Sequence, residues 1–137
     1  MTRFVAEFLG SSNMFTGTVR RNDRGEALLE TPVGVLALGD RGGAAGVAEG
    51  ASATLTVLDT RTQLGVAAPE GARNVVSGKV IGEEFVGATA TVYLEAADGR
   101  EIRVQKGHDE LAGLPLQIGQ ELVAWWDPED GHLIREG

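Results

Sequence analysis

Asn74-Val75-Val76-Ser77-Gly78-Lys79-Val80, Glu84-Phe85-Val86-Gly87, Thr91-Val92-Tyr93-Leu94, Glu101-Ile102-Arg103-Val104 and Leu122-Val123-Ala124-Trp125-Trp126-Asp127-Pro128 are the runs whose reading decides the fold. Each is short, rich in β-branched and aromatic residues, and bounded by glycine or by a turn such as Asp98-Gly99. That is the pattern of strands joined by tight turns. Asp109-Glu110-Leu111 reads as a single helical turn, and Ile118-Gly119-Gln120 opens the last strand of the stretch. Gly87 interrupts the run from Phe85 to Leu94, where a tightly curved strand would need to bend.

Upstream the same grammar continues. Gly17 to Arg20, Ala27 to Thr31, Gly34 to Leu38 and Ala53 to Leu58 are strand candidates. Asn22-Asp23-Arg24-Gly25 supplies turn chemistry, and Pro32 belongs at an edge or turn. Asp40 to Gly50 reads as a loop. Ahead of these strands, Phe4, Val5, Phe8 and Leu9 fall at helical spacing within Thr2 to Asn13, and Gly10-Ser11-Ser12 ends that lead-in. Leu64 to Arg73, with Pro69 and Gly71, is the linker candidate. Beyond it the pattern restarts: Gly17-Thr18-Val19 recurs as Gly78-Lys79-Val80, Asp23-Arg24-Gly25 as Asp98-Gly99-Arg100, and Glu49-Gly50 as Ile118-Gly119.

The expected organisation is a lead-in over residues 1–16, a first unit over 17–65, a linker over 66–73 and a second unit over 74–137. Exchange of strands between the units is left open. The fold class is all-β, two small OB-like barrels with a short helical lead-in. A generic antiparallel sandwich is the alternative. The few strands per half and the position of Gly87 favour barrels.

Bulk properties agree with small units that lean on each other. The chain has 137 residues, 42% of them hydrophobic. A unit of about 60 residues buries only about 60% of the surface its unfolded chain exposes, so mutual packing or oligomerisation is expected. A formal net charge of −8, from 12 basic and 20 acidic residues, repels phosphate and argues against nucleic acid as a partner. There is no cysteine, hence no disulfide and no thiolate metal site. No apolar run approaches the ~20 residues of a membrane span, and no secretory signal is expected at the start.

The search for chemistry returns no catalytic set. Gly78-Lys79 is followed by Val80, and the spacing of a Gly-x-x-x-x-Gly-Lys-Ser/Thr phosphate loop is missing, so nucleotide hydrolysis is not expected. His108 and His132 lack companions at ligand spacing, which favours solvated turns over zinc. Glu83 and Glu84 point to opposite faces of a strand, and Asp127, Glu129 and Asp130 are too sparse a set for calcium. No cofactor and no metal are expected. Of Trp125 and Trp126 one ring faces inward as core, while the other is either a cover or an interface anchor. Phe85 and Tyr93 are assigned to the core. Seven aromatic residues are too few for a stacking platform as well.

Asn74, Gly78-x-Val80, Phe85-x-Gly87, Asp98-Gly99, Gly119 and Trp126-x-Pro128 together resemble the transport-associated OB (TOBE) domain of ATP-binding subunits of ABC importers, polyamine and ferric-iron type. Phe4 to Gly17 looks like the segment by which such subunits pass from the ATPase domain to the regulatory one. The resemblance implies a non-catalytic regulatory half, cut from its ATPase domain and paired with a second copy as a homodimer. It would lie in the cytoplasm and reach the membrane only through the permease subunits. It places Phe8, Leu9 and Asn13 near the junction and gives Phe85 and Gly87 a part in shaping the second barrel. Arg73, Asn74, Trp125 and Trp126 complete the interface or ligand candidates. Leu58-Asp59-Thr60 departs from the Arg-Pro-Glu common in that family, so contacts of that arginine or glutamate do not carry over. Ala72-Arg73-Asn74 followed by Gly78-x-Val80 also resembles the start of molybdate-binding OB domains, with Gly71 in place of their serine. The second functional reading is therefore an independent module for an oxyanion or a polyamine.

Overall fold

Phe15 and Val19 point inward from β1 (Ser12–Arg21) and are fully buried, while Met14, Thr16 and Arg20 face out, as alternation over a half-buried strand requires. The same period builds nine further strands among the described residues. They are β2 (Ala27–Thr31), β3 (Gly34–Ala37), β4 (Ser52–Leu58), β5 (Gln63–Gly65), β6 (Asn74–Val86), β7 (Thr89–Ala96), β8 (Glu101–Gly107), β9 (Glu121–Trp126) and β10 (Gly131–Arg135). An α-helical turn, α1 (His108–Leu111), follows β8. The computed structural model describes residues 12–39 and 46–135. The expected helical lead-in ahead of Ser12, with Phe8 in it, and residues 40–45 of the expected loop lie outside that range.

Two five-stranded antiparallel sheets, curled into half-barrels, have the orders β10-β4-β1-β2-β3 and β5-β9-β6-β7-β8. Replacing β1 to β4 by β6 to β9 turns one order into the other, except at the outer strand. There the halves exchange: β5, which follows β4, pairs with β9, and β10, which follows β9, pairs with β4. A 3₁₀ turn makes each crossing, Asp59–Arg61 on one side and Pro128–Asp130 on the other. Both sheets feed a single buried cluster that includes Phe15, Leu29, Leu55, Leu94, Ile102 and Leu122.

The repeat read in the sequence has a structural counterpart. Val19 N–H donates to Ala51 O at 2.9 Å, and its carbonyl accepts from Gly50 N at 2.7 Å. Val80 does the same with Gln120 O at 2.9 Å and Gly119 N at 2.8 Å.

Three placements differ from the sequence reading. Residues 12–16 belong to β1 rather than to a lead-in, because Ser12 to Thr18 pair in register with β4. Gly87, at φ 62°, forms the β6–β7 turn and does not bend a strand. The bend comes earlier, at Ile81, an extra residue in β6 where the register to β7 shifts between Val80 and Gly82. Phe85, assigned to the core, is 60% exposed, since β9 pairs with β6 only as far as Lys79 and the strand beyond the bulge keeps β7 as its one neighbour.

Candidate functional site

The two asparagines at the head of β1 and β6 do matching work. Asn13 Nδ2 donates to Arg103 O at 2.8 Å, and its Oδ1 accepts from Arg103 N at 2.7 Å. Asn74 Nδ2 donates to Ala37 O at 2.9 Å and its Oδ1 accepts from Ala37 N at 2.7 Å. Each carboxamide behaves like one residue of a strand, pairing with a backbone N–H and C=O on the outer strand of the opposite sheet. Asn13 also donates to Thr62 Oγ1 at 3.2 Å. An amide suits this task because it carries a donor and an acceptor side by side. Both side chains are buried.

Trp126 is the inner of the adjacent tryptophans. It stacks on Phe15 with centroids 5.2 Å apart and planes 17° from parallel, joining β9 to β1 across the two sheets. Phe15 is covered on its other flank by the Arg100 guanidinium, 5.2 Å from the ring centroid. Arg100 also donates to Met14 O at 2.7 Å and to Asp98 Oδ2 at 2.8 Å, so the β7–β8 turn clasps the first strand of the other half. Burial alone would raise the Asp98 pKa; the hydrogen bonds from Arg100 outweigh it and hold the carboxyl below its ordinary value.

Trp125 is half-buried and packs over Gly65, where an added methyl would meet its ring at 3.0 Å. With Gln63, Glu70, Arg73, Asp127 and Asp130 it lines an open cleft of about 460 Å³ beside the 66–73 loop. The structure thus brings Arg73, Trp125 and Trp126 together, with Asn74 opposite Trp126 but turned to Ala37, while Asn13 and Phe85 lie elsewhere. Arg73 is engaged by Glu26, whose carboxyl it holds below the usual range by that hydrogen bond. Asp127 accepts from Glu129 N at 2.9 Å and caps the 3₁₀ turn. Asp130 lies 4.0 Å from Arg61. One guanidinium already committed to a carboxylate, among three further carboxylates, is a poor receptor for an anion.

Phe85 stands on the exposed end of β6 with its ring 5.1 Å from that of His108. Tyr93, half-buried, donates its hydroxyl to Glu84 at 2.9 Å, which raises the Tyr93 pKa. Among the described residues no group of three His, Cys, Asp or Glu is placed to hold a metal. Sequence reasoning did not find Arg103, Ala37 or Arg100 as partners. The signal available was the spacing Asn13-x-x-x-Gly17-x-Val19, which recurs as Asn74-x-x-x-Gly78-x-Val80.

Two interlocked half-barrels, cross-braced by asparagines and without a converging set of reactive side chains among the described residues, define a small barrel module. The TOBE domain family model matches residues 60–134, more than half of the chain. The chain belongs to that family, whose domain is non-catalytic. Among known proteins it is similar to spermidine/putrescine import ATP-binding proteins PotA. Identity is 28% to that of Frankia alni, covering 98% of this chain and 30% of the relative, and 32% to that of Acidothermus cellulolyticus, covering 97% and 34%. The chain thus spans about a third of the length of these relatives. Among solved structures it resembles the cytoplasmic molybdate-binding protein ModG with molybdate bound. The TM-score is 0.79 at 24% identity, over 90% of this chain and 96% of that one, a likeness of fold.

Proposed function

We propose that this chain is the regulatory domain of the ATP-binding subunit of an ABC-type importer of the spermidine/putrescine class, with no turnover of its own. The observation that carries the reading is that nearly the whole chain aligns with about a third of each PotA relative. In this reading its partners are the ATPase domain of the same subunit, a second copy of itself and, through them, the membrane permease. It works at the cytoplasmic face. The cross-braced barrels suit a mechanical part: a rigid body that holds two ATPase halves near one another raises their effective concentration without a reaction of its own.

A chimera tests this directly. The aligned segment of the Acidothermus cellulolyticus protein is exchanged for this chain, and spermidine uptake is measured in vesicles beside a deletion of that segment. Uptake well above the deletion is expected. Uptake equal to the deletion would overturn the reading.

The likeness to ModG favours one second reading, an independent module for a molybdate-like oxyanion or a polyamine. The cleft beside Trp125 weighs against the oxyanion, because its arginine is already held by Glu26. Calorimetry with molybdate, sulfate and spermidine separates the readings: micromolar oxyanion affinity would replace the scaffold with the binding module.

A further inference from the structure

β6 is the longest strand among the described residues, and its two halves live differently. Asn74 to Lys79 pair with β9, and from Gly78 the strand has β7 on its other side; beyond the bulge at Ile81 it keeps β7 only. On the side that β9 leaves open, residues 82–86 have no backbone hydrogen-bond partner among the described residues. The register still aligns them with Thr89 to Tyr93, so the segment is held extended. An extended strand with one row of free N–H and C=O groups is a template for another strand.

The side chains along this edge have an order. Glu83 and Phe85 share the face of Val92 and Ala90; Glu84 and Val86 share the face of Thr91 and Thr89. Each face therefore presents a carboxylate followed by an apolar group. Phe85 and Val86 are about three-fifths exposed, and Ile81 and Ile118 add further apolar surface. Glu83 and Phe85 also rim a shallow apolar groove with Leu111 and Leu116.

We infer that the open edge of β6, residues 82–86, is a docking site for an extended segment of another polypeptide in which two consecutive basic residues adjoin two consecutive apolar β-formers. Laid antiparallel, such a segment sets its apolar pair opposite Val86 and Phe85 and its basic pair opposite Glu84 and Glu83. A second copy of this chain fits poorly, since two such edges would gather four carboxylates along one seam. A charged residue on an edge commonly guards against self-pairing. Here the guard also specifies a partner of opposite charge.

The experiment is amide hydrogen exchange by NMR on the full chain, with the probe acetyl-Thr-Val-Ile-Lys-Lys-Thr-amide and its Glu-Glu counterpart. The basic peptide is expected to slow exchange in residues 82–86 at least tenfold at saturation and the acidic one to leave it unchanged. Glu83→Lys, on an exposed side chain, is expected to weaken the basic peptide at least tenfold with an unchanged unfolding midpoint. Three results would each overturn the inference: no slowing at 82–86 by millimolar peptide, equal slowing by both peptides, or slowing confined to other strand edges such as β3. Protection at 82–86 that grows with protein concentration and no peptide would assign the edge to a second copy and overturn it too.

Discussion

Gly17 occupies a place that no side chain can share. A methyl group there would lie 1.9 Å from Glu30 O, a backbone atom with nowhere to retreat. At its counterpart Gly78 the closest atom is Leu94 Cβ at 2.9 Å, which moves only with its backbone but stands farther off. Gly17→Ala is therefore expected to cost about 3 kcal/mol or more and Gly78→Ala less, about 2 kcal/mol, read from urea midpoints. Equal losses would mean that the two halves are closer in geometry than the register implies. The asparagines are the other residue-scale determinants. Asn74→Ala leaves the Ala37 N–H and C=O buried without partners, and about 3 kcal/mol of stability should disappear. Asn13→Ala is expected to cost about the same through Arg103.

The turns and short 3₁₀ segments carry the pH dependence. Asp98 is held ionised by Arg100, so its pKa in the folded state lies below the ordinary 3.8. The stabilisation it brings is present above that ordinary value and is lost as pH falls through the depressed pKa. Asp59 behaves in the opposite sense. It is buried at the start of the Asp59–Arg61 turn, and desolvation raises its pKa against the opposing hydrogen bond from the Thr60 backbone and the charge of Arg103. Its contribution is full below the ordinary value and is lost as pH rises through the raised one. Asp59→Asn is thus expected to be more stable than wild type in neutral buffer, with the gap closing in acid; a gap that widens in acid would contradict the burial argument. Arg100→Ala should remove the Asp98 dependence from the same titration.

For the molecule as a whole, the exchange of β5 and β10 means that neither half owns a complete sheet. Residues 1–73 lack β9, on which β5 pairs, and residues 74–137 lack β4, on which β10 pairs. Each half also leaves one asparagine without its backbone partner. Expressed separately, both fragments are expected to give the narrow amide dispersion of unfolded chains and to recover the native spectrum on mixing. A fragment that folds alone would show that the braces and exchanged strands are dispensable.

Most strand positions were legible in the sequence because they follow from a local property, the alternation of apolar and polar residues cut by turn residues. Ala27–Thr31 was read to the residue, and the Gly-x-Val repeat marked the equivalent positions of the halves. What the site residues do was not legible in the same way. That Trp126 rather than Trp125 turns inward depends on register against β6, and that Asn13 and Asn74 serve as braces depends on Arg103 and Ala37, 90 and 37 residues away. Composition and spacing by themselves determined an all-β chain whose strand-and-turn pattern repeats. Only the tertiary structure decided which sheet takes β5 and β10, which asparagine locks which edge, and that Phe85 stands outside the core. A strand's pattern states which faces it has, while its neighbour is chosen by closure of the whole sheet.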